Sequence, residues 1–111
     1  MSAIGEWKYL YNDSHYGQVS YRCLGKNLIE LKVFVVVATT NTWTVPTKMP
    51  SEYCPSESGI IWSALRTTYY GEPVNNIAWI QIAQDGTVAM QALSELANGC
   101  IRGHYLYFIA S

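Results

Sequence analysis

The sequence predicts an all-β domain, an antiparallel β-sandwich or jelly-roll-like barrel of about eight short strands. Three observations carry this prediction. Period-two alternation recurs along the chain, most clearly at Ile29, Leu31, Val33, Val35 and Val37, where every second residue is apolar. Turn signals such as Gly25-Lys26-Asn27, Gly71-Glu72-Pro73 and Gln84-Asp85-Gly86 punctuate the chain. No stretch carries the periodicity of a long helix.

The elements follow in order. Gly5 to Tyr11 alternates, with Trp7, Tyr9 and Tyr11 expected on one face of a first strand. Asn12 to Gly17 is a loop by composition. Gln18 to Leu24 is the second strand, with Val19, Tyr21 and Cys23 on one face. After the turn at Gly25-Lys26-Asn27 comes a long third strand, Leu28 to Val37. Its even face begins with Glu30 and Lys32 and ends with Phe34 and Val36. The second half is therefore expected to be covered on both sides, by another chain or by a loop or short strand of the same one.

Trp43-Thr44-Val45 is a short strand stopped by Pro46 and Pro50, and Lys48 to Gly59 is an irregular crossing. Ile60 to Tyr70 reads as a strand broken at Gly71-Glu72-Pro73. Asn76 to Ala83 and Thr87 to Ala92 flank Gln84-Asp85-Gly86, where Asp-Gly signals a hairpin with a type I′ turn. Leu93 to Arg102 is either a loop or one helical turn. His104 to Ala110 is the last strand.

With 111 residues the chain is one domain, 1–111, long enough to bury a core of its own. Its net charge of −1 and scattered Lys and Arg argue against phosphate-driven nucleic-acid binding. No apolar run reaches the roughly 20 residues of a membrane span, so no membrane insertion is expected. No signal peptide is recognised at the start. The three cysteines, Cys23, Cys54 and Cys100, lack metal or disulfide spacing and point to a reducing cytoplasm as the place of synthesis. Nine tyrosines and four tryptophans against only 14% charged residues describe a surface suited to interfaces and sugar contacts.

Four segments, taken in order, resemble the C-terminal head domains of phage tail fibres and receptor-binding proteins. They are the hairpin Tyr21-Arg22-Cys23-Leu24-Gly25-Lys26-Asn27-Leu28-Ile29-Glu30-Leu31, the segment Met49-Pro50-Ser51-Glu52-Tyr53-Cys54-Pro55, the hairpin Ile80 to Val88, and the closing strand Tyr105 to Ile109. Cys23 and Cys54 stand where that family often has a basic residue, and Ala38 to Asn41 lacks its usual glycine. The resemblance implies a compact β-barrel or sandwich that forms a homotrimer at a virion tail tip, joined to upstream fibre or baseplate proteins. It also implies adhesion to saccharide on the host cell surface, and synthesis in the bacterial host cytoplasm.

No motif for a nucleophile, a zinc ligand set or a nucleotide loop is present, and no catalytic residue, metal or cofactor is expected. The acids Glu52, Glu57, Glu72, Asp85 and Glu95 stand singly in loops or turns. Saccharide adhesion needs less: aromatic faces for the sugar ring and hydrogen-bonding side chains for its hydroxyls. Three loops hold that mix. One has Asp13, His15 and Tyr16. The densest has Tyr69, Tyr70, Glu72, Asn75 and Asn76. The third has Glu95, Asn98, Arg102 and His104. The carbohydrate-binding candidates are Tyr69, Tyr70, Glu72, Asn75, Asn76, Arg102, His104 and His15. Strand packing competes for Tyr69 and Tyr70, one of which is expected to face inward. Trp43, Trp62 and Trp79 are expected in the core, and Tyr53 is expected to plug a barrel end.

The function expected is a receptor-binding head that adheres to host glycan as a homotrimer. The alternative is a structural trimerisation or end-cap domain of a fibre with no ligand of its own. A single shallow sugar site reaches about −4 to −8 kcal/mol, and trimeric display raises the avidity without new contacts.

Overall fold

A computed structural model describes residues 5–25, 27–57 and 59–109, with the side chains of residues 75–77 outside the description. Among the described residues the chain forms eight strands: β1 Lys8–Asp13, β2 Gly17–Cys23, β3 Leu28–Val36, β4 Trp43–Thr44, β5 Gly59–Thr67, β6 Pro73–Ala83, β7 Val88–Ala92 and β8 Cys100–Phe108. One 3-10 turn, Ser51–Tyr53, interrupts the irregular crossing. All strands belong to one antiparallel sheet in the order β1-β2-β3-β8-β5-β6-β7-β4, curled into a half-barrel.

Alternation builds the core as expected. In β3 the residues Ile29, Leu31, Val33 and Val35 are buried, and so are Val19 and Tyr21 of β2, Ile80 and Ile82 of β6, and Val88 and Met90 of β7. The curl turns these rows toward one another, which removes their apolar surface from water. Tyr107 of β8 joins them, and its hydroxyl donates to the carbonyl of Tyr53 at 2.6 Å. Tyr53 also lies against Tyr21, with ring centroids 5.8 Å apart. It sits at the end of the barrel where the sequence placed it.

Several details differ from expectation. Trp7, Tyr9 and Tyr11 do not share a face. The β1–β2 register shifts between Tyr9 and Tyr11, which leaves Tyr9 exposed, Leu10 buried and Tyr11 half-buried. A bulge inserts one residue and so reverses the alternation beyond it. The Gln84-Asp85-Gly86 turn is not type I′. Gly86 alone of the three has positive φ, at 94°, and Gly86 N–H donates to Ala83 O while Ala83 N–H donates to Thr87 O. That is the three-residue hairpin with a glycine bulge. Trp79 lies on the outer face between the buried Ala78 and Ile80, whereas Trp43 and Trp62 pack against the core as expected. β5 ends at Thr67, so neither Tyr69 nor Tyr70 faces inward; both are exposed. β8 begins at Cys100, four residues before the expected start at His104, and the segment before it is a loop.

β5 and β8 pair only over Leu65–Thr67 and Cys100–Arg102, then diverge. The Tyr105 ring fills the gap. It stacks on Trp62 at 4.6 Å with an interplanar angle of 6°, and its hydroxyl donates to the carbonyl of Ser63. Gly103 makes room for it, because a Cβ there would stand 2.1 Å from the Tyr105 ring.

Candidate functional site

Antiparallel pairing sends alternate connections to opposite ends of the barrel. The ends of β1, β3, β5 and β7 and the starts of β2, β4, β6 and β8 therefore gather at one end. Loops 14–16, 37–42, 68–72 and 93–99 meet there. Tyr69, Tyr70 and His15, expected from two separate loops, face a common hollow of about 290 Å³, together with Ser14, Val36 and Asn98.

Each loop is held in place locally. Asp13 accepts hydrogen bonds from the backbone N–H groups of His15 at 2.8 Å and Tyr16 at 2.9 Å, a turn that a short acidic side chain builds on its own backbone. Those bonds, from Tyr16 first and then His15, hold the Asp13 carboxyl below its ordinary range. The His15 and Tyr16 rings meet edge to face at 4.6 Å. In the β5–β6 turn, Thr68 N–H donates to Glu72 O at 2.9 Å and Gly71 N–H to Thr68 O at 3.0 Å. The Thr68 hydroxyl accepts from Glu72 N–H at 3.1 Å. Tyr69 and Tyr70 stand on this turn edge to face, with centroids 5.5 Å apart.

Arg102 acts from behind. Its Nε donates to Thr67 Oγ1 at 2.8 Å and its Nη2 to the carbonyl of Tyr69 at 3.3 Å, while the guanidinium lies 4.1 Å from the centre of the Phe34 ring. Arg102 thus positions the tyrosine turn, and a side chain of the same chain partly covers Phe34. The loop carrying Asn98 is anchored by Arg66, which is fully buried and donates to the carbonyls of Val37 and Ser94. Asn98 itself has φ of 55°, a conformation that Asn tolerates better than most residues.

The remaining candidates go elsewhere. Glu72 is exposed in the tyrosine turn but does not line the hollow. Asn75 and Asn76 belong to the backbone of β6, and their side chains lie outside the described residues. His104 sits on the outer face, hydrogen-bonded through Nε2 to Glu30. Glu30 also takes a charged hydrogen bond from Arg22 Nε. Burial by itself raises the Glu30 carboxyl, but the bonds from Arg22 and His104 outweigh it and hold the group below its ordinary value. Trp7 covers the cluster, with the Arg22 guanidinium 4.5 Å from its centroid and His104 at 6.3 Å. This Glu30 arrangement was not legible in the sequence, because its members come from three strands. Asn98 was legible only as a member of the third loop, with Glu95, Arg102 and His104, and not as a binding candidate.

Another hollow, of about 220 Å³, lies at the opposite end against Gly5, Tyr21 and Tyr53 and gathers none of the candidates. Among the described residues no helix is long and apolar enough to cross a membrane. Comparison of the chain with protein-family models and with curated proteins finds no match.

Proposed function

We propose that this chain is a saccharide-binding head domain of the phage tail-fibre type, adhering as a homotrimer to glycan on the host cell surface from the tip of the virion. One observation carries the binding reading: loops from three parts of the chain bring Tyr69, Tyr70, His15 and Asn98 to a single hollow. The tyrosine faces suit the apolar face of a sugar ring, and the imidazole, amide and Ser14 hydroxyl suit its hydroxyls. The four ordered segments that resemble fibre heads support the setting. Exposed Ile61, Leu65, Leu106 and Phe108 on β5 and β8 supply apolar surface for contacts between copies of the chain.

That same apolar face favours a second reading, an end cap that trimerises a fibre without binding a ligand. One experiment separates the two. Wild type and a Tyr69→Ala/Tyr70→Ala variant are passed over an array of bacterial surface saccharides, and their masses are measured by light scattering. The glycan reading expects retention of the wild type, loss of retention in the variant, and a mass near three times 12.5 kDa for both. A trimer that no saccharide retains selects the end cap. A monomer that no saccharide retains overturns both.

A further inference from the structure

We infer that the ligand is a neutral oligosaccharide of at least two sugar units, laid across two adjoining hollows. This inference rests on the saccharide reading above. The second hollow, of about 330 Å³, adjoins the one lined by Tyr69 and Tyr70. Val36 lines both, so the two meet at this residue. His15 faces one and Tyr16 the other, and their rings, edge to face at 4.6 Å, form the rib between them. The second hollow ends on Trp43 and Tyr11, whose rings meet at 5.1 Å, and its polar groups come from Thr39, Asn41 and Thr42.

The two hollows repeat one pattern: aromatic side chains, the shared apolar Val36, and hydrogen-bonding side chains with no Lys, Arg, Asp or Glu. Each is close to the lower limit for a small-ligand pocket, about 300 Å³. Two aromatic walls on either side of a rib match a chain of linked rings better than one compact ligand.

Charge supports a neutral ligand. Neither hollow is lined by Lys, Arg, Asp or Glu. Arg102, which holds the Tyr69 carbonyl, is already committed to Thr67 Oγ1 and the Phe34 ring. Asp13, beneath the His15–Tyr16 rib, is held in its anionic form. A carboxylated or phosphorylated sugar would lose hydration here and find no Lys or Arg lining either hollow.

The test is an array holding neutral oligosaccharides of one to six units beside sialylated, uronic and phosphorylated ones, read with the whole chain. Retention by neutral glycans of two or more units, and weaker retention by their monosaccharides, supports the inference. Equal retention of monosaccharides, or a preference for acidic glycans, overturns it and leaves the saccharide reading standing. No retention at all overturns both. Two exposed substitutions then assign the hollows, with amide NMR spectra confirming that each variant is folded. Tyr70→Ala should weaken binding of the retained oligosaccharide and its monosaccharide about tenfold. Asn41→Ala should weaken the oligosaccharide several-fold and leave the monosaccharide unchanged. An Asn41→Ala variant that binds the oligosaccharide as wild type does would confine the ligand to one hollow and overturn the inference.

Discussion

The rings of Tyr11 in β1 and Trp43 in β4 meet edge to face, 5.1 Å apart and inclined by 70°, although these strands stand at opposite ends of the sheet order. The half-barrel therefore closes on side chains where it lacks backbone pairing. β4 has only two residues, paired to Ala89 and Met90, too few to build a ladder of its own. An aromatic pair bridging two edges contributes area and a favourable quadrupole geometry, and it shields edges that would otherwise invite pairing with other chains.

Trp43→Ala is expected to destabilise the fold by about 2–3 kcal/mol, below the range for a fully buried Trp because Trp43 is half-exposed. Urea unfolding followed by circular dichroism measures it. An unchanged midpoint would mean that the seam contributes nothing to closure.

Gly103→Ala should cost about 2–4 kcal/mol, because the added methyl expels the Tyr105 ring from the gap between β5 and β8. Tyr105 would leave Trp62 and lose the Ser63 carbonyl. Near-ultraviolet circular dichroism should lose the signal of the stacked pair. A variant as stable as wild type would show that Tyr105 is not needed to fill the gap.

Arg66→Lys keeps the charge but not the fork. A single ammonium in place of the guanidinium leaves the carbonyl of Val37 or Ser94 without its donor, at a cost of about 2 kcal/mol. Amide hydrogen exchange should accelerate first in residues 93–99, the loop that Arg66 anchors. Exchange that accelerates uniformly would argue against such an anchor.

Glu30 ties stability to pH. Its folded carboxyl titrates below the ordinary value, so its contribution is present above the unfolded value of about 4.3 and is lost as pH falls through the folded one. Glu30→Gln should be less stable than wild type at pH 7 by about 1 kcal/mol, since Arg22 and His104 are partly solvated. The gap should close below about pH 4. A gap that stays constant from pH 7 to pH 3 would rule out this linkage.

The strands were legible because a half-buried strand writes its burial into the order of its residues. Ile29 to Val37 illustrates this, with odd positions buried in one continuous row. The Leu10 bulge was not legible, because Trp7, Tyr9 and Tyr11 alternate correctly and only the pairing with β2 reveals the shift. The type of the Gln84-Asp85-Gly86 turn was hidden as well, since Asp-Gly suits two turn types and the closing bond from Ala83 decides between them.

The candidate site divides in the same way. Fold class, strand positions, and the loops that hold aromatic and hydrogen-bonding residues follow from local periodicity and turn chemistry. That His15 and Asn98 join Tyr69 and Tyr70 while His104 turns to Glu30 emerges from long-range pairing. The sheet explains the difference. Which loops share an end follows from strand direction, and which side chains share a face follows from register. Both are set by pairings between residues far apart in the chain, such as Phe34 with Arg102 and Lys32 with His104.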